Sequence, residues 1–250
     1  MRQYDHLYFD LDHTLWDFGT NSRLAMQKTV AEMGLDKLIP DFDRFFAYYE
    51  TINTKLWAAY RKQEIRKQEL IRKRFEDTLN YFNITTVDPL AMNDHYLKLM
   101  PVQKQLYPNV LDVLDYLKQK GYQMHIITNG FTEVQHRKIE SSGLAPYFKR
   151  IFISEEVQAP KPDKRIFQHA LSSCNARKKK SLMIGDSWEA DILGAKNAGI
   201  NQVLVLHNTH PQTTPPAKEW GEEKEHYFQN ISPSTTTYIV SGIEKLSKLL

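Results

Sequence analysis

Apolar and polar positions along this 250-residue chain fall into three regimes. The first is brief. Leu7, Tyr8 and Phe9 form a short apolar run of β-favouring residues and predict a buried strand at the very start. The second regime is helical. Leu24, Ala25, Val30 and Met33 predict an amphipathic helix over about Phe18 to Gly34, ending at the glycine. Asp41 can cap a second helix, along which Phe42, Phe45, Phe46, Tyr49, Ile52, Leu56 and Tyr60 recur at helical spacing. The step from Tyr60 to Ile65 breaks that phase, and Ile71, Phe75, Leu79 and Phe82 begin another. The pattern therefore predicts a turn near Gln63 to Arg66, a third helix to about Asn83, and a fourth over about Pro89 to Leu99. Strand signals are absent from Trp16 to Met100.

From Pro108 the pattern alternates between the two periods. Helices are expected over Val110 to Lys120, Thr132 to Ser142, Asp163 to Ser173 and Glu189 to Ala198. Between them lie strands at Met124 to Thr128, Ile151 to Ser154, Leu182 to Ile184 and Gln202 to Leu206. Such alternation with short links implies an α/β, Rossmann-like core: a mostly parallel sheet covered by helices on both faces. Ligands on such sheets bind beyond the carboxyl ends of the strands. The polar, proline-containing stretch His207 to Ser234 reads as a long surface loop, with no chemistry assigned to His207, His210 or His226, and a last helix is expected over Gly242 to Leu250. The chain thus divides into a core made of residues 1–16 and 101–250 and an inserted helical module, residues 17–100.

Composition narrows the function little. A net charge of +3 is too small to argue for a nucleic acid polymer or an anionic membrane. No apolar stretch has the length of a membrane span, and the first strand begins too early for a signal peptide, so the expected home is the cytoplasm. The single cysteine, Cys174, excludes an intramolecular disulfide. It lacks the cysteine and histidine partners of a zinc site and reads as a structural residue at a helix end. The basic run from Arg61 to Arg74 is interleaved with Gln63, Glu64, Gln68 and Glu69, which predicts a solvated helix face, with one or two of its arginines still free to face a phosphorylated substrate.

The chemistry collects at the strand ends. The first strand delivers Asp10, Asp12 and Thr14. Residues two apart on a strand share a face, so the two carboxylates leave the strand tip together unless the chain turns sharply. Such a pair is costly to bury without compensation, and a hard divalent cation supplies it. The second strand delivers Thr128, Asn129 and Gly130; Lys161 follows the third; the fourth delivers Asp186 and Ser187, with Asp191 one turn later. Carboxylates, an ammonium, hydroxyls and a glycine-permitted turn converging from four strand ends suit a metal and a phosphate.

DLDHT, TNG, the lysine of PKP and GDSWEAD resemble the four motifs of the haloacid dehalogenase-like (HAD) phosphohydrolases. The run from ITNGFTEVQ through ISEEV, followed by KPDKRIF, is similar to the YjjG-like 5′-nucleotidase branch. The resemblance implies that Asp10 is the nucleophile and forms an aspartyl-phosphate, with Asp12 as the proton donor and acceptor. It implies Mg²⁺ held by Asp10, the Asp12 backbone carbonyl and Asp186, and Asp191 behind them. Lys161, Thr128 and the backbone at Asn129 and Gly130 would meet the phosphoryl oxygens, Thr14 would support the first loop, and the helical module would be a cap domain. A carboxyl group at Asp12 favours phosphate esters over halides, because a departing alkoxide needs a proton. The implied substrate is a small phosphorylated metabolite, foremost a pyrimidine nucleoside monophosphate. Other sugar phosphates, phosphoglycolate, a phosphomutase reaction and a non-catalytic phosphate-binding role stay open, and the sequence is silent on oligomeric state.

Overall fold

The computed structural model describes residues 2–207, 228–232 and 235–250. It forms two compact units: Met1–Phe18 with Gln105–Leu250, and Gly19–Lys104.

After β1 (His6–Phe9), the helical unit holds α1 (Phe18–Glu32, which starts one residue before it), α2 (Phe42–Arg61), α3 (Lys67–Tyr81) and α4 (Pro89–Leu99). The Asp41 side chain caps α2 by accepting from the Arg44 backbone N–H at 3.0 Å. Gly34 takes a left-handed φ of 67° just past α1, which a glycine adopts without steric penalty. The core is aromatic: Tyr49, Phe75 and Tyr96 have ring centroids 5.2–5.8 Å apart. Arg74 departs from the solvated face expected of the basic run. It is buried at 3% exposure, its Nε and Nη2 donate to Asn93 Oδ1 at 3.1 and 2.5 Å, and its guanidinium lies 5.5 Å from the Phe75 and Tyr96 ring centres. Arg72, two residues before Arg74 and so on the opposite side of the helix, does stay on the outer face, paired with Glu76. Asn93→Ala is expected to destabilise the protein by about 2–3 kcal/mol, because it leaves a buried guanidinium without its acceptor. Urea denaturation followed by aromatic fluorescence checks this.

The other unit adds α5 (Val110–Gln119), β2 (Gln123–Thr128), α6 (Thr132–Ser141), β3 (Arg150–Ile153), α7 (Ser154–Val157) and α8 (Lys164–Ser173). It continues with β4 (Ser181–Gly185), α9 (Gly194–Ala198), β5 (Asn201–Val205), β6 (Phe228–Ser232), β7 (Thr235–Val240) and α10 (Leu246–Leu249). Among the described residues the strands form one seven-stranded sheet, in the order β3-β2-β1-β4-β5-β7-β6, parallel except for the β6–β7 pair. Tyr8, Ile127 and Met183 of the sheet pack with Ile166, Phe167 and Ala170 of α8 as a continuous apolar core. β1 is buried inside the sheet, between β2 and β4.

Three stretches differ from the sequence expectation. β6 and β7 occupy part of, and follow, the stretch read as a surface loop; the rest of that stretch, with His210 and His226, lies outside the described residues. β7 escapes a hydrophobic-period reading because its inward positions include Thr235 and Thr237, and Thr237 Oγ1 donates to Gln202 Oε1 at 2.7 Å. The helix expected over Glu189 to Ala198 is split into a π-helical turn, Trp188–Leu193, followed by α9.

Candidate active site

The register of the parallel strands brings the chemistry together. Phe9 pairs with Ile126 on one side and Ile184 on the other, so Asp10, Thr128 and Asp186 emerge side by side at one end of the sheet. Asp10 Oδ1 accepts from Lys161 Nζ at 2.5 Å, and the same ammonium donates to Asp191 Oδ1 at 2.7 Å and to the Ile127 carbonyl at 2.8 Å. An ammonium has three N–H donors. All three are therefore committed to the protein, so Lys161 acts on a neighbouring anion by charge rather than by a further hydrogen bond.

Lys161 is itself clasped. Asn129 Oδ1 accepts from its backbone N–H at 2.8 Å, and Asn129 Nδ2 donates to its carbonyl at 2.9 Å. The sequence reading valued Asn129 for its backbone; its side chain fixes the lysine segment. Asp191 reaches the cluster from the π-helical turn and also accepts from the Ser187 N–H at 3.0 Å. Any Cβ at Gly185 would collide with that carboxylate, which explains the glycine at the end of β4. Thr14 is fully buried; its hydroxyl donates to Asp186 Oδ1 at 3.0 Å, and its carbonyl meets His207 Nε2 at 3.1 Å. His207 stacks flat on Tyr107 at 3.6 Å, so a histidine left without a role steadies this loop.

The chain does turn sharply after Asp10. Leu15 and Trp16 both donate backbone N–H groups to the Leu11 carbonyl, and His13 adopts φ 64°, an uncommon region for a non-glycine residue. Asp12 thereby leaves the Asp10 cluster and faces α6. Its Oδ1 accepts from Lys138 Nζ at 2.7 Å and its Oδ2 from Gln135 Nε2 at 2.9 Å. Gln135 also donates to Thr128 Oγ1 at 2.7 Å. Neither residue was singled out from the sequence. Their three-residue spacing places them on one helix face, and that was the available signal.

Asp10, Asp186 and Asp191 bring carboxylate oxygens within 4.8 Å of one another, all three residues being buried. Burial pushes Asp10 up to about 7, against the pull of Lys161, with the other carboxylates adding to the rise. Burial also raises Asp186 well above the ordinary carboxylate range, helped by Asp10 and Asp191. Burial opposes the Lys161 charge, yet Asp10 and Asp191 outweigh it and hold that ammonium above its ordinary value. With all three ionised, the carboxylates facing one ammonium leave room for about two positive charges. Among the described residues, Asp10 and Asp186 each keep a carboxylate oxygen outside these hydrogen bonds. A hard, oxygen-seeking divalent cation fits that donor set.

At the opposite end of β1, Cys174 sits at a helix end as expected but has histidine neighbours that its local sequence does not show. His125 Nδ1 lies 3.6 Å from Cys174 Sγ, and His125 Nε2 lies 3.2 Å from His6 Nδ1. Burial holds His125 down to about 4. These partners come from β1 and β2, and His125 lies 49 positions before the cysteine, so local spacing around it could not reveal them.

The sheet order, the strand-end carboxylates and the lysine give a Rossmann-like enzyme core with an acidic site at its carboxyl end. The chain belongs to the haloacid dehalogenase-like hydrolase family, whose model matches residues 4–199. Within it the chain falls in the YjjG-like branch. It is 36% identical to the pyrimidine 5′-nucleotidase PynA of Streptococcus pneumoniae, over 83% of this chain and 85% of that protein. It is 30% identical to the pyrimidine 5′-nucleotidase YjjG of Escherichia coli, over 99% of this chain and 98% of that one. In structure it is similar to the HAD-hydrolase YfnB of Bacillus subtilis, solved bound to magnesium, with a TM-score of 0.81 at 26% identity, covering 100% and 99% of the two chains. No helix among the described residues is long and apolar enough to cross a membrane.

Proposed function

We propose that this enzyme is a Mg²⁺-dependent 5′-nucleotidase that hydrolyses pyrimidine nucleoside monophosphates through an aspartyl-phosphate on Asp10, with the helical unit Gly19–Lys104 as its cap domain. The observation that carries the chemistry is Asp10 itself: a buried carboxylate held by Lys161 beside Asp186 at the sheet's carboxyl end. The substrate class rests on the two nucleotidases of 36% and 30% identity.

Asp10 and Asp186 would hold the cation together with the Asp12 carbonyl. When bound, Mg²⁺ supplies positive charge that offsets repulsion between the nucleophilic carboxylate and the phosphate; the magnesium bound to YfnB supports this choice of ion. The remaining steps belong to the chain's own groups. Asp10 forms a bond to phosphorus while the ester P–O bond breaks, and Asp12 gives its proton to the departing oxygen. Asp12 then takes a proton from the attacking water, which releases phosphate and restores Asp10. Thr128, its oxygen already accepting from Gln135, keeps its own proton to donate to a phosphoryl oxygen. The backbone N–H groups of Asn129 and Gly130 complete that cradle. Lys161 holds Asp10 in place and supplies fixed charge, and Asp191 holds Lys161.

Phosphate release from pyrimidine and purine nucleoside monophosphates, sugar phosphates and phosphoglycolate, with and without Mg²⁺, tests this. The expected result is Mg²⁺-dependent release that favours the pyrimidine nucleotides. Preference for a sugar phosphate or phosphoglycolate overturns the substrate; metal-independent release overturns the mechanism.

A further inference from the structure

Lys138 is an unusual residue to find where it is. Its side chain is 3% exposed, and its ammonium lies 4.4 Å from the Trp16 ring centre and 5.3 Å from that of Phe18. A buried ammonium is costly unless it is paired, and an apolar residue would fill the same space at less cost. Its carboxylate partner is Asp12, at 2.7 Å. Gln135 beside it is fully buried, and its orientation is settled by chemistry: a carboxylate only accepts, so the amide nitrogen must face Asp12. Gly130 belongs to the same device. A Cβ there would collide with the Gln135 side chain, so the glycine lets that amide pass beneath the turn to reach Asp12.

We propose that Gln135 and Lys138 are positioning residues for leaving-group protonation: together they hold the Asp12 carboxyl, one oxygen each, in the orientation that delivers its proton to the departing alkoxide. The proposal rests on Asp12 being the proton donor, and deepens that reading. A carboxylate has about four lone-pair directions, and the two donors occupy only one on each oxygen. The directions that remain carry the transferred proton. In the step, the P–O bond to the leaving group breaks, its electron pair stays on oxygen, and the Asp12 proton moves onto that oxygen. The carboxylate left behind is the form that the ammonium and the amide stabilise. Thr128 links this device to the phosphoryl cradle, because the second N–H of the same Gln135 amide donates to its hydroxyl oxygen.

The test exploits a distinction that a merely structural role would not make. Uridine 5′-monophosphate expels an alkoxide that needs a proton; p-nitrophenyl phosphate expels a stable phenolate that does not. Leaving-group release in the first turnover is measured by rapid quench for both esters, in the Mg²⁺-loaded enzyme. Lys138→Met is expected to slow the first ester about 100-fold and the second less than about threefold, within the range that proton transfer supplies. Gln135→Leu, which leaves no unpaired buried charge, should show the same selectivity at about tenfold, and Lys138→Arg should restore most of the alkyl rate. Equal losses on both esters in Lys138→Met and Gln135→Leu overturn the inference. Asp12→Asn separates the two levels. Selective loss there without selectivity in the α6 variants leaves Asp12 as the donor and removes its positioning pair, whereas equal loss on both esters in Asp12→Asn overturns the proton-donor reading itself.

Discussion

Asp10→Asn is expected to lower turnover on the order of 10⁵-fold or more while making the metal-free protein more stable. The two halves have one cause. The amide has nearly the volume of the carboxylate, so the cavity is unchanged, but its oxygen is a poor nucleophile and its charge is gone. In the wild-type protein burial pushes Asp10 up to about 7, so the ionised form is disfavoured by folding. A carboxyl whose folded-state value is raised contributes stability that is full below the ordinary carboxylate range and is lost as pH rises through about 7. The metal-free wild type should therefore weaken across that window, and Asp10→Asn should weaken less. At the alkaline end the variant should melt about 3–6 °C higher for a protein of this size. Thermal melts in chelator at several pH values check the stability, and phosphate release checks the turnover. A variant less stable than wild type at every pH would mean that Asp10 is there to hold Lys161, not to react.

This opposition of stability and activity explains which parts of the molecule were legible in the sequence. The packing elements were, because burying apolar area imposes a period. Tyr49 and Phe75 sit on their expected helix faces, Asp41 caps α2, and Leu7 to Phe9 form a buried interior strand. The placement of Asp10, Thr128 and Asp186 at or just past strand ends was legible, but the wiring around them was not. Whether Asp12 stays beside Asp10 or swings to α6 depends on the left-handed turn at His13, and a histidine does not advertise such a conformation. Asp191 reaches Lys161 from a π-helical turn, and no residue type signals that i→i+5 pattern. Arg74 and Lys138 defeat a rule that is right for most residues: a cation in a polar run is read as solvated, and these two are buried against aromatic rings. Asn129 shows the same limit in reverse, a turn residue by composition whose side chain pins a segment 32 positions away.

Lys161→Met is the second variant with a large expected effect, and its diagnostic feature is pH. The side chain is 2% exposed and bonds Asp10, Asp191 and the Ile127 carbonyl. Removing it leaves buried carboxylates uncompensated, which is expected to cost about 3–5 kcal/mol of metal-free stability at neutral pH, and turnover should fall on the order of 10³-fold. The lysine's own protonation cannot give this deficit a slope near neutrality. Its folded-state value is raised, so its contribution is fully present below its ordinary value and begins to fade only at strongly alkaline pH. The slope must come from the carboxylates it leaves behind. Asp10 and Asp186 bind protons more tightly when folded than when unfolded, and protonation relieves their repulsion. The deficit should therefore be small near about pH 5 and grow towards about pH 8. Urea denaturation of both proteins in chelator at the two ends of that range measures it. A deficit that is the same at both ends would mean that Lys161 contributes packing and hydrogen bonds but not charge, and the case for the cluster as a cation site held in balance by one buried ammonium would fall with it.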